Sequence, residues 1–264
     1  MLQIQNLSKV FNKGTVNENS LYNNLSFHVS NGDFITIIGS NGAGKSTLLN
    51  MISGNLNPDE GAIVLDGVDI TYNKEYKNSK YIARVFQNPS LGTAPSMTIL
   101  ENMSMAYNKG KKFGLSRGIN KKNISMFTKL LKKVNLGLED KLNVKVESLS
   151  GGQRQALSLI MAVMKKPKVL LLDEHTAALD PKTSKRIIEI TKEVVLEDNI
   201  TTLMVTHDLN QAITLGNRLI MMHKGNIVLD VKAEEKKSLT KEKLFKCFEE
   251  IHVEDSLSDR VLFS

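Results

Sequence analysis

The first part of the chain combines apolar–polar alternation with short, mostly apolar runs. Alternation at Leu2–Ile4 and at Leu25–Val29 predicts two strands, and the run Phe34–Ile38 predicts a buried third strand. A further β unit is predicted over 62–86, where two apolar runs flank a turn. The N-terminal segment is therefore expected to be rich in β-structure.

The middle of the chain changes to a helical pattern that is rich in Met and Lys. Apolar residues recur at helical spacing from about 88 to 164, which predicts an α-helical segment with a buried face. Beyond it, Lys168–Leu172 and Thr201–Val205 are typical of buried parallel strands, and Lys182–Leu196 is a helical connection between them. A hairpin over 219–229 follows. Strands that alternate with helices predict an α/β fold.

A glycine-rich turn joins the predicted strand Phe34–Ile38 to the start of a helix. Strand, glycine-rich turn, Lys-Ser and helix form the pattern of a phosphate-binding loop, whose backbone N–H groups surround an anion at the positive end of the helix. Lys45 is predicted to reach the β- and γ-phosphates, and the Ser46 hydroxyl to ligate Mg²⁺. The loop consists of Gly39, Ser40, Asn41, Gly42, Ala43, Gly44, Lys45, Ser46 and Thr47.

Two acidic residues follow the predicted strand that ends at Leu172. Asp173 lies at the carboxyl end of this strand, which we expect next to the phosphate-loop strand, so that its carboxylate can hold Mg²⁺ through water. Glu174 can polarise a water in line with the γ-phosphate as a general base. An Asp-Glu pair is weak evidence by itself, and the phosphate-binding loop makes it specific.

A second candidate anion site precedes a helix with one apolar face. A serine and two glycines at a helix N-terminus favour anion binding. An N-cap with a tight turn would explain the serine, but not the Gly-Gly-Gln that follows. A chain with one phosphate loop has no obvious internal use for this second site, which consists of Ser150, Gly151, Gly152 and Gln153.

Composition limits the class of protein. The 264 residues, 41% of them hydrophobic and 24% charged, are typical of a globular protein of one large or two small domains. Cys247 is the single cysteine, so no intrachain disulfide can form and a reducing compartment fits. The N terminus lacks the features of a signal peptide, and no run approaches the ~18 apolar residues that span a bilayer. We expect a cytosolic protein that reaches membranes through a partner.

The net charge of +7 is unevenly placed. Eleven of the 35 Lys and Arg residues lie between Lys109 and Lys145, against two acidic residues. Such a segment can face nucleic acid or the anionic inner leaflet, or it can be a solvated helix face. The only aromatic residues near the lysines are Phe113 and Phe127, which is not a pattern for stacking bases.

These motifs together resemble the ATP-binding subunits of ATP-binding-cassette (ABC) transporters over about 1–230. The motifs occur along the chain in the order that is typical of the family. They are the Walker A loop (Gly39–Thr47), the Q-loop glutamine (Gln87), the signature motif (Leu149–Gln153), the Walker B strand (Val169–Glu174), the D-loop (Ala178–Asp180) and the switch histidine (His207).

The resemblance implies a P-loop NTPase core with a mixed, mainly parallel sheet and helices on both faces, plus an antiparallel β subdomain and an α-helical signature subdomain. It implies a single ATPase domain over 1–230, with the helical subdomain inserted at about 88–164. Residues 231–264 are then a C-terminal helical appendage of unknown role.

It also implies a head-to-tail dimer that encloses two ATP molecules with Mg²⁺, in which the signature residues of one chain close on the γ-phosphate held by the other. Gln87 would contact Mg²⁺ or the attacking water, His207 would bridge the γ-phosphate, and Asp180 would cross the dimer interface. Phe11 lies where the family has an aromatic residue on adenine, although simple packing in the sheet is the alternative.

His175 departs from the family, which has proline after the Walker B glutamate. Such a histidine has either a catalytic or pH-sensing role, or it is a tolerated loop substitution. The segments Glu174–Asp180 and Thr206–Ala212 resemble a bacterial subgroup associated with amino-acid uptake, which uses a separate binding protein.

The function implied is an ATPase that powers transport of a small solute from the cytoplasmic face of the cell membrane. Its expected partners are a second ATPase chain (an identical copy, with a paralogue as the alternative), separate membrane-spanning permease subunits and an extracytoplasmic substrate-binding protein. The alternative is a soluble ABC-type ATPase that acts on nucleic acid or ribosomes through the basic segment. The short span from Lys45 to Ser150 leaves no room for the long coiled coil of chromosome-handling ATPases, and one cassette argues against tandem-cassette translation factors. We expect no nucleic-acid partner.

Overall fold

The computed structural model describes residues 1–111 and 118–250. Parts of the basic segment and of the C-terminal appendage therefore lie outside the described residues. The strands are β1 (Leu2–Phe11), β2 (Asn19–Val29), β3 (Phe34–Gly39), β4 (Glu60–Leu65), β5 (Val68–Asp69), β6 (Ile82–Val85), β7 (Val169–Asp173), β8 (Thr201–Val205), β9 (Arg218–His223) and β10 (Asn226–Lys232). The helices are α1 (Lys45–Ser53), α2 (Glu75–Asn78), α3 (Ile99–Asn108), α4 (Ile124–Val134), α5 (Gly151–Val163), α6 (Pro181–Glu197), α7 (Leu209–Thr214) and α8 (Ala233–Lys237), with a further helix over 241–250.

The core sheet has six strands in the order β10-β9-β3-β8-β7-β6. All neighbours are parallel except β9 and β10, which form the predicted hairpin. Every residue of β3, β7 and β8 is buried, as expected for parallel strands with helices on both faces. The predicted α/β fold with a mixed, mainly parallel sheet is confirmed.

Two details of the predicted strand arrangement are wrong. The strand that carries Asp173 is not next to the phosphate-loop strand, because β8 lies between β3 and β7. The β unit predicted over 62–86 is divided between sheets, since β4 pairs with β1 and β5 whereas β6 pairs with β7. Short apolar runs show which strands are buried but not which strands are neighbours.

The second sheet is antiparallel, in the order β2-β1-β4-β5, and it matches the predicted β subdomain. One face of this sheet is apolar and packs with helix α1 and with β3 in a single buried cluster. Helix α1 contributes Leu48, Leu49, Met51 and Ile52 to that cluster, each at most 1% exposed. The helix that follows the phosphate loop is therefore enclosed by both sheets.

The helices α3, α4 and α5 lie between β6 and β7 in the chain, where the helical subdomain was predicted. Their apolar stripes pack with α6 in a second buried cluster, which includes Met103, Phe127, Leu131 and Ile160. Tyr107 meets Phe127 edge to face at 5.9 Å between ring centres. These stripes are packing surfaces, as the periodicity predicts.

The segment after β10 packs on the core sheet. Leu244 is buried with Ile38, Leu219 and Met221. The ammonium of Lys236 is also buried and donates hydrogen bonds to Thr36 Oγ1 (3.1 Å), to the Arg218 carbonyl (3.2 Å) and to the Leu215 carbonyl. Burial lowers the pKa of Lys236 to about 8. The predicted boundary at 230 falls inside β10, and the described part of the appendage shares a buried cluster with the core sheet.

Candidate active site

The phosphate loop lies between β3 and α1, and neighbouring elements pack closely against it. A Cβ on Gly39 would lie 2.1 Å from the carbonyl oxygen of Met222, and one on Gly44 would lie 2.6 Å from the Tyr22 hydroxyl. The Tyr22 hydroxyl donates a 2.5 Å hydrogen bond to the Gly44 carbonyl, and burial raises the pKa of Tyr22. Packing alone therefore requires glycine at positions 39 and 44. Sequence reasoning missed Tyr22, which carries no motif.

Lys45 is the first residue of α1 and is 6% exposed. Its ammonium donates to the carbonyls of Gly39 (2.8 Å) and Ser40 (2.9 Å). Burial lowers the pKa of Lys45, and the carboxylates of Glu174 and Asp173 act in the opposite direction. A buried ammonium over the loop is suited to bind an anion that the loop surrounds.

The carboxylate of Asp173 is shared by two donors. Ser46 Oγ donates to Oδ1 at 3.0 Å, and Arg84 Nη2 donates to Oδ2 at 2.7 Å. The carboxyl ends of parallel strands share one edge of a sheet, which explains why Asp173 reaches Ser46 although β8 intervenes. Arg84 was not predicted, because a single arginine in a short strand has no recognisable pattern.

Glu174 and His207 meet at the same edge of the sheet. Glu174 Oε1 lies 2.5 Å from His207 Nε2, and the Glu174 side chain is 15% exposed. The backbone of Glu174 is left-handed (φ 45°), and its N–H donates to the Val205 carbonyl at 3.0 Å. This bond fixes the glutamate beside the end of β8, two residues before His207. The structure thus brings together the predicted base and the predicted switch histidine.

The signature segment begins helix α5. Ser150 and Gln153 form a reciprocal capping box, in which Ser150 Oγ accepts from the Gln153 N–H and Gln153 Oε1 accepts from the Ser150 N–H. A Cβ on Gly152 would lie 2.1 Å from Thr183 Cγ2, whereas one on Gly151 would meet only Leu179, at 3.8 Å. The expectation that capping cannot explain Gly-Gly-Gln is therefore wrong for Gln153. Gly152 is explained by close contact with α6, whereas no contact among the described residues requires glycine at position 151.

The remaining candidates are placed apart from this cluster. Gln87 is exposed after β6, and no hydrogen bond joins it to Ser46 or Asp173. Phe11 is half-buried at the end of β1, with the Lys9 ammonium 5.7 Å from its ring centre. Asp180 caps α6 by accepting from the Thr183 N–H at 3.0 Å. The proposed roles of these three residues stay predictions.

His175 is buried, and its surroundings favour the packing interpretation over pH sensing. Thr191 Oγ1 donates to the Ile187 carbonyl, so it accepts the 3.2 Å hydrogen bond from His175 Nε2. Burial lowers the pKa of His175 to about 4, so the ring is neutral near pH 7. His175 therefore ties the loop after Glu174 to helix α6.

The strand–loop–helix cradle, with carboxylates at the end of β7 and a histidine after β8, defines a P-loop nucleoside triphosphatase. The family profile described as ABC transporter matches residues 22–177. The chain belongs to the ABC transporter family as an ATP-binding, ATP-hydrolysing subunit, which confirms the predicted family and activity. None of the described helices is long and apolar enough to cross a membrane.

Two curated relatives indicate the kind of system. The tyrosine transport ATP-binding protein of Clostridioides difficile is 55% identical over 249 residues, which are 94% of this chain and 99% of the relative. The spermidine/putrescine import ATP-binding protein of Haemophilus influenzae is 37% identical over 83% of this chain. The match spans only 55% of that second relative's length.

Solved structures agree with the fold. A dimeric ATP-binding cassette in a post-hydrolysis state, bound to ADP and phosphate, matches with a TM-score of 0.75 and 30% identity over 88% of this chain and 98% of its own. The ADP conformation of another ABC transporter cassette matches with a TM-score of 0.77 and 28% identity over 94% of this chain and 98% of its own. The predicted fold class is thereby confirmed.

The two signature glycines are expected to differ when each is changed to alanine. Gly152→Ala places a methyl group against Thr183 and should lower the free energy of unfolding by about 1–3 kcal/mol. Gly151→Ala should leave it unchanged or slightly raise it, because the added methyl group meets only Leu179 at an ordinary contact distance and alanine favours helix. Urea denaturation measures both values.

The double variant Gly152→Ala/Thr183→Ser is the control, because serine removes the clashing methyl group and keeps the hydroxyl. It should recover most of the lost stability. Equal losses for the two glycine variants would contradict the packing argument.

Proposed function

We propose that this chain is the ATPase of an amino-acid uptake system, with tyrosine or a similar amino acid as the solute. The observation that carries the enzymatic part is the Glu174–His207 pair, held at the sheet edge that also carries Lys45 and Asp173. The solute is supported by the relative that is named for tyrosine transport. The chain works at the cytoplasmic face of the membrane, with permease subunits and a separate substrate-binding protein.

The residues at the loop fit ATP with Mg²⁺. The Ser46 hydroxyl and the Asp173 carboxylate lie 3.0 Å apart, and such oxygen atoms are the ligands that Mg²⁺ prefers. Gln87 is proposed as a further metal or water contact. When bound, Mg²⁺ neutralises charge on the phosphates. Lys45 exchanges its loop carbonyls for phosphate oxygens, while the loop N–H groups of Gly39–Thr47 hold the β-phosphate.

Glu174 orients and activates the attacking water, and His207 holds the glutamate and contacts the γ-phosphate. The left-handed backbone at Glu174 and its bond to Val205 fix the backbone at the end of β8, and the contact with His207 holds the carboxylate. A carboxylate held in this way needs little rearrangement during the reaction. Phe11 is proposed to stack on adenine.

The test of this mechanism is Glu174→Gln. The variant should bind ATP like the unchanged chain, hydrolyse it at least about 100-fold more slowly, and accumulate as an ATP-bound dimer, because the amide cannot accept the proton from water. Glu197→Gln, which changes an exposed carboxylate on α6, is the matched control and should keep full activity. A near-normal rate of ATP hydrolysis by Glu174→Gln would exclude Glu174 as the general base.

The solute is tested in cells that lack this chain. The unchanged chain should restore uptake of labelled tyrosine, and Glu174→Gln should not. If hydrolysis depends on Glu174 but tyrosine uptake never depends on the chain, the enzymatic proposal stands and the solute is wrong.

We also propose that two identical chains form a head-to-tail dimer, with Ser150–Gln153 of one chain closing on the ATP of the other and Asp180 at the interface. Support comes from Gly151, which is exposed and where a Cβ would make only an ordinary contact, with Leu179 at 3.8 Å. A structural neighbour is also a dimeric cassette.

Mixing two inactive chains tests the dimer. Lys45→Ala removes the loop ammonium, and Gly151→Asp places a negative charge where the partner's phosphate would approach. The Cβ of that aspartate would make only an ordinary contact with Leu179 of its own chain. Their mixed dimer retains one intact composite site, so the mixture should recover up to about half of the wild-type rate per mixed dimer. No recovery in a mixture whose heterodimer is demonstrated by a tag pull-down would contradict the composite site.

The permease is proposed to dock in a groove between the edge of the core sheet and the helical subdomain. The groove has a volume of about 520 Å³ and is lined by apolar side chains that include Phe86, Leu91 and Met105. Leu91 is 70% exposed and Met105 is 48% exposed, which is typical of an interaction surface. Lys80, Lys109 and Lys165 also line the groove, with Glu75 as the one acidic side chain among its described lining residues. The excess of positive charge favours a cytoplasmic segment of the permease with apolar and acidic side chains.

Leu91→Glu tests this groove. The charge should abolish co-purification of the chain with its permease from membranes, because it repels an acidic segment and removes an apolar contact. The thermal stability should be unchanged, since Leu91 is exposed. Leu196→Glu changes a leucine of similar exposure on α6 outside the groove and should co-purify normally. Equal co-purification of the two variants with the permease would exclude the groove as the docking site.

A further inference from the structure

Arg84 connects three elements beneath the candidate metal site. Its Nη2 donates to Asp173 Oδ2 on β7 at 2.7 Å, and its Nη1 donates to Asn50 Oδ1 on α1 at 2.5 Å. The guanidinium lies 4.7 Å from the ring centre of Phe86. The side chains of Arg84 and Asp173 are 9% and 12% exposed. A partly dehydrated charge pair of this kind keeps a fixed geometry.

Arg84 balances the formal charge of the site. Asp173 and Glu174 supply two negative charges, and Lys45 and Arg84 supply two positive charges, so the four side chains sum to zero. Among the described residues, no group of three or more His, Cys, Asp or Glu side chains could hold a metal ion. Mg²⁺ gives up its water reluctantly, and sites with only one or two carboxylates usually bind it together with substrate phosphates. A positive side chain beside such a carboxylate further weakens binding of the ion alone.

We propose that Arg84 is a built-in counter-ion of Asp173 that prevents the chain from binding Mg²⁺ before nucleotide, so that the metal enters with ATP and leaves with ADP. The inference rests on the proposed role of Asp173 and Ser46 at Mg²⁺. Arg84 contacts Oδ2 and leaves Oδ1 facing Ser46, so it opposes the metal by charge and not by blocking the oxygen. Phosphate oxygens supply the negative charge that the protein lacks.

Two effects of removing Arg84 oppose each other, and their sizes differ. Loss of the hydrogen bond to Oδ2 frees the carboxylate to rotate, which weakens a metal site by a few-fold at most. Loss of a positive charge within a few ångströms of a divalent cation in a partly buried site has a larger effect, which strengthens metal binding. The net result is tighter binding of free metal, which loss of a purely structural contact would not produce.

The experiment measures binding of Mn²⁺, as a spectroscopic substitute for Mg²⁺, to the nucleotide-free chain by electron paramagnetic resonance. Arg84→Gln should bind Mn²⁺ at least about tenfold more tightly than the unchanged chain. Arg84→Lys keeps the charge and should bind like the unchanged chain. Arg186→Gln, which removes an arginine charge on α6 away from the site, is the control for net charge and should show no gain. Adding Asp173→Asn to Arg84→Gln should abolish the gain.

The proposal is overturned if Arg84→Gln binds Mn²⁺ no more tightly than the unchanged chain, or if Arg84→Lys gains as much as Arg84→Gln. If Arg84→Gln does not fold, as thermal unfolding would reveal, Asn50→Ala/Arg84→Lys replaces it. That variant loosens the cation from Asp173 and should show a smaller gain, whereas no gain overturns the proposal. A different measurement would show that the proposed metal site itself is wrong: in that case Mg²⁺ would not change the affinity of the unchanged chain for ATP.

Discussion

The parallel alignment of β3, β8 and β7 is the constraint on which the candidate site depends. Their carboxyl ends share one edge of the core sheet, so the phosphate loop, Asp173 and the segment that leads to His207 emerge side by side. Every residue of these three strands is buried. Asp173 ends β7, Glu174 follows it directly, and His207 lies two residues after β8, whereas Lys45 and Ser46 begin α1 after the loop that follows β3. The site is therefore as rigid as the sheet, although its residues are far apart in the chain.

The second sheet makes the loop rigid from the opposite side. Helix α1 is enclosed by the antiparallel sheet and the core sheet, and Tyr22 on β2 donates directly to the Gly44 carbonyl. The N–H of Gly225, in the turn between β9 and β10, donates to the Ala43 carbonyl at 3.2 Å. A loop held from both sides keeps its N–H groups in place for an anion, so little conformational entropy is lost when one binds.

Patterns that are local in the sequence predicted their structures well. The strand, glycine turn and helix around Lys45 were predictable because a few adjacent residues determine them. Relations across the chain were not predictable in the same way. Arg84 and Asp173 are 89 positions apart, and nothing in either segment indicates the other. The placement of β8 between β3 and β7 likewise depends on how the chain crosses the sheet, which short apolar runs do not encode.

The signature segment shows how a functional motif can consist largely of residues that its own fold requires. Ser150 and Gln153 cap helix α5, and Gly152 permits the close approach of Thr183 on α6. These three residues would be needed even if no partner existed. Gly151 differs, since the backbone there accepts a side chain with ordinary contacts and the position is exposed. The case for a partner at the start of α5 therefore depends on Gly151 more than on the rest of the motif, because the part of the chain that the structure describes gives no packing reason for glycine at that position.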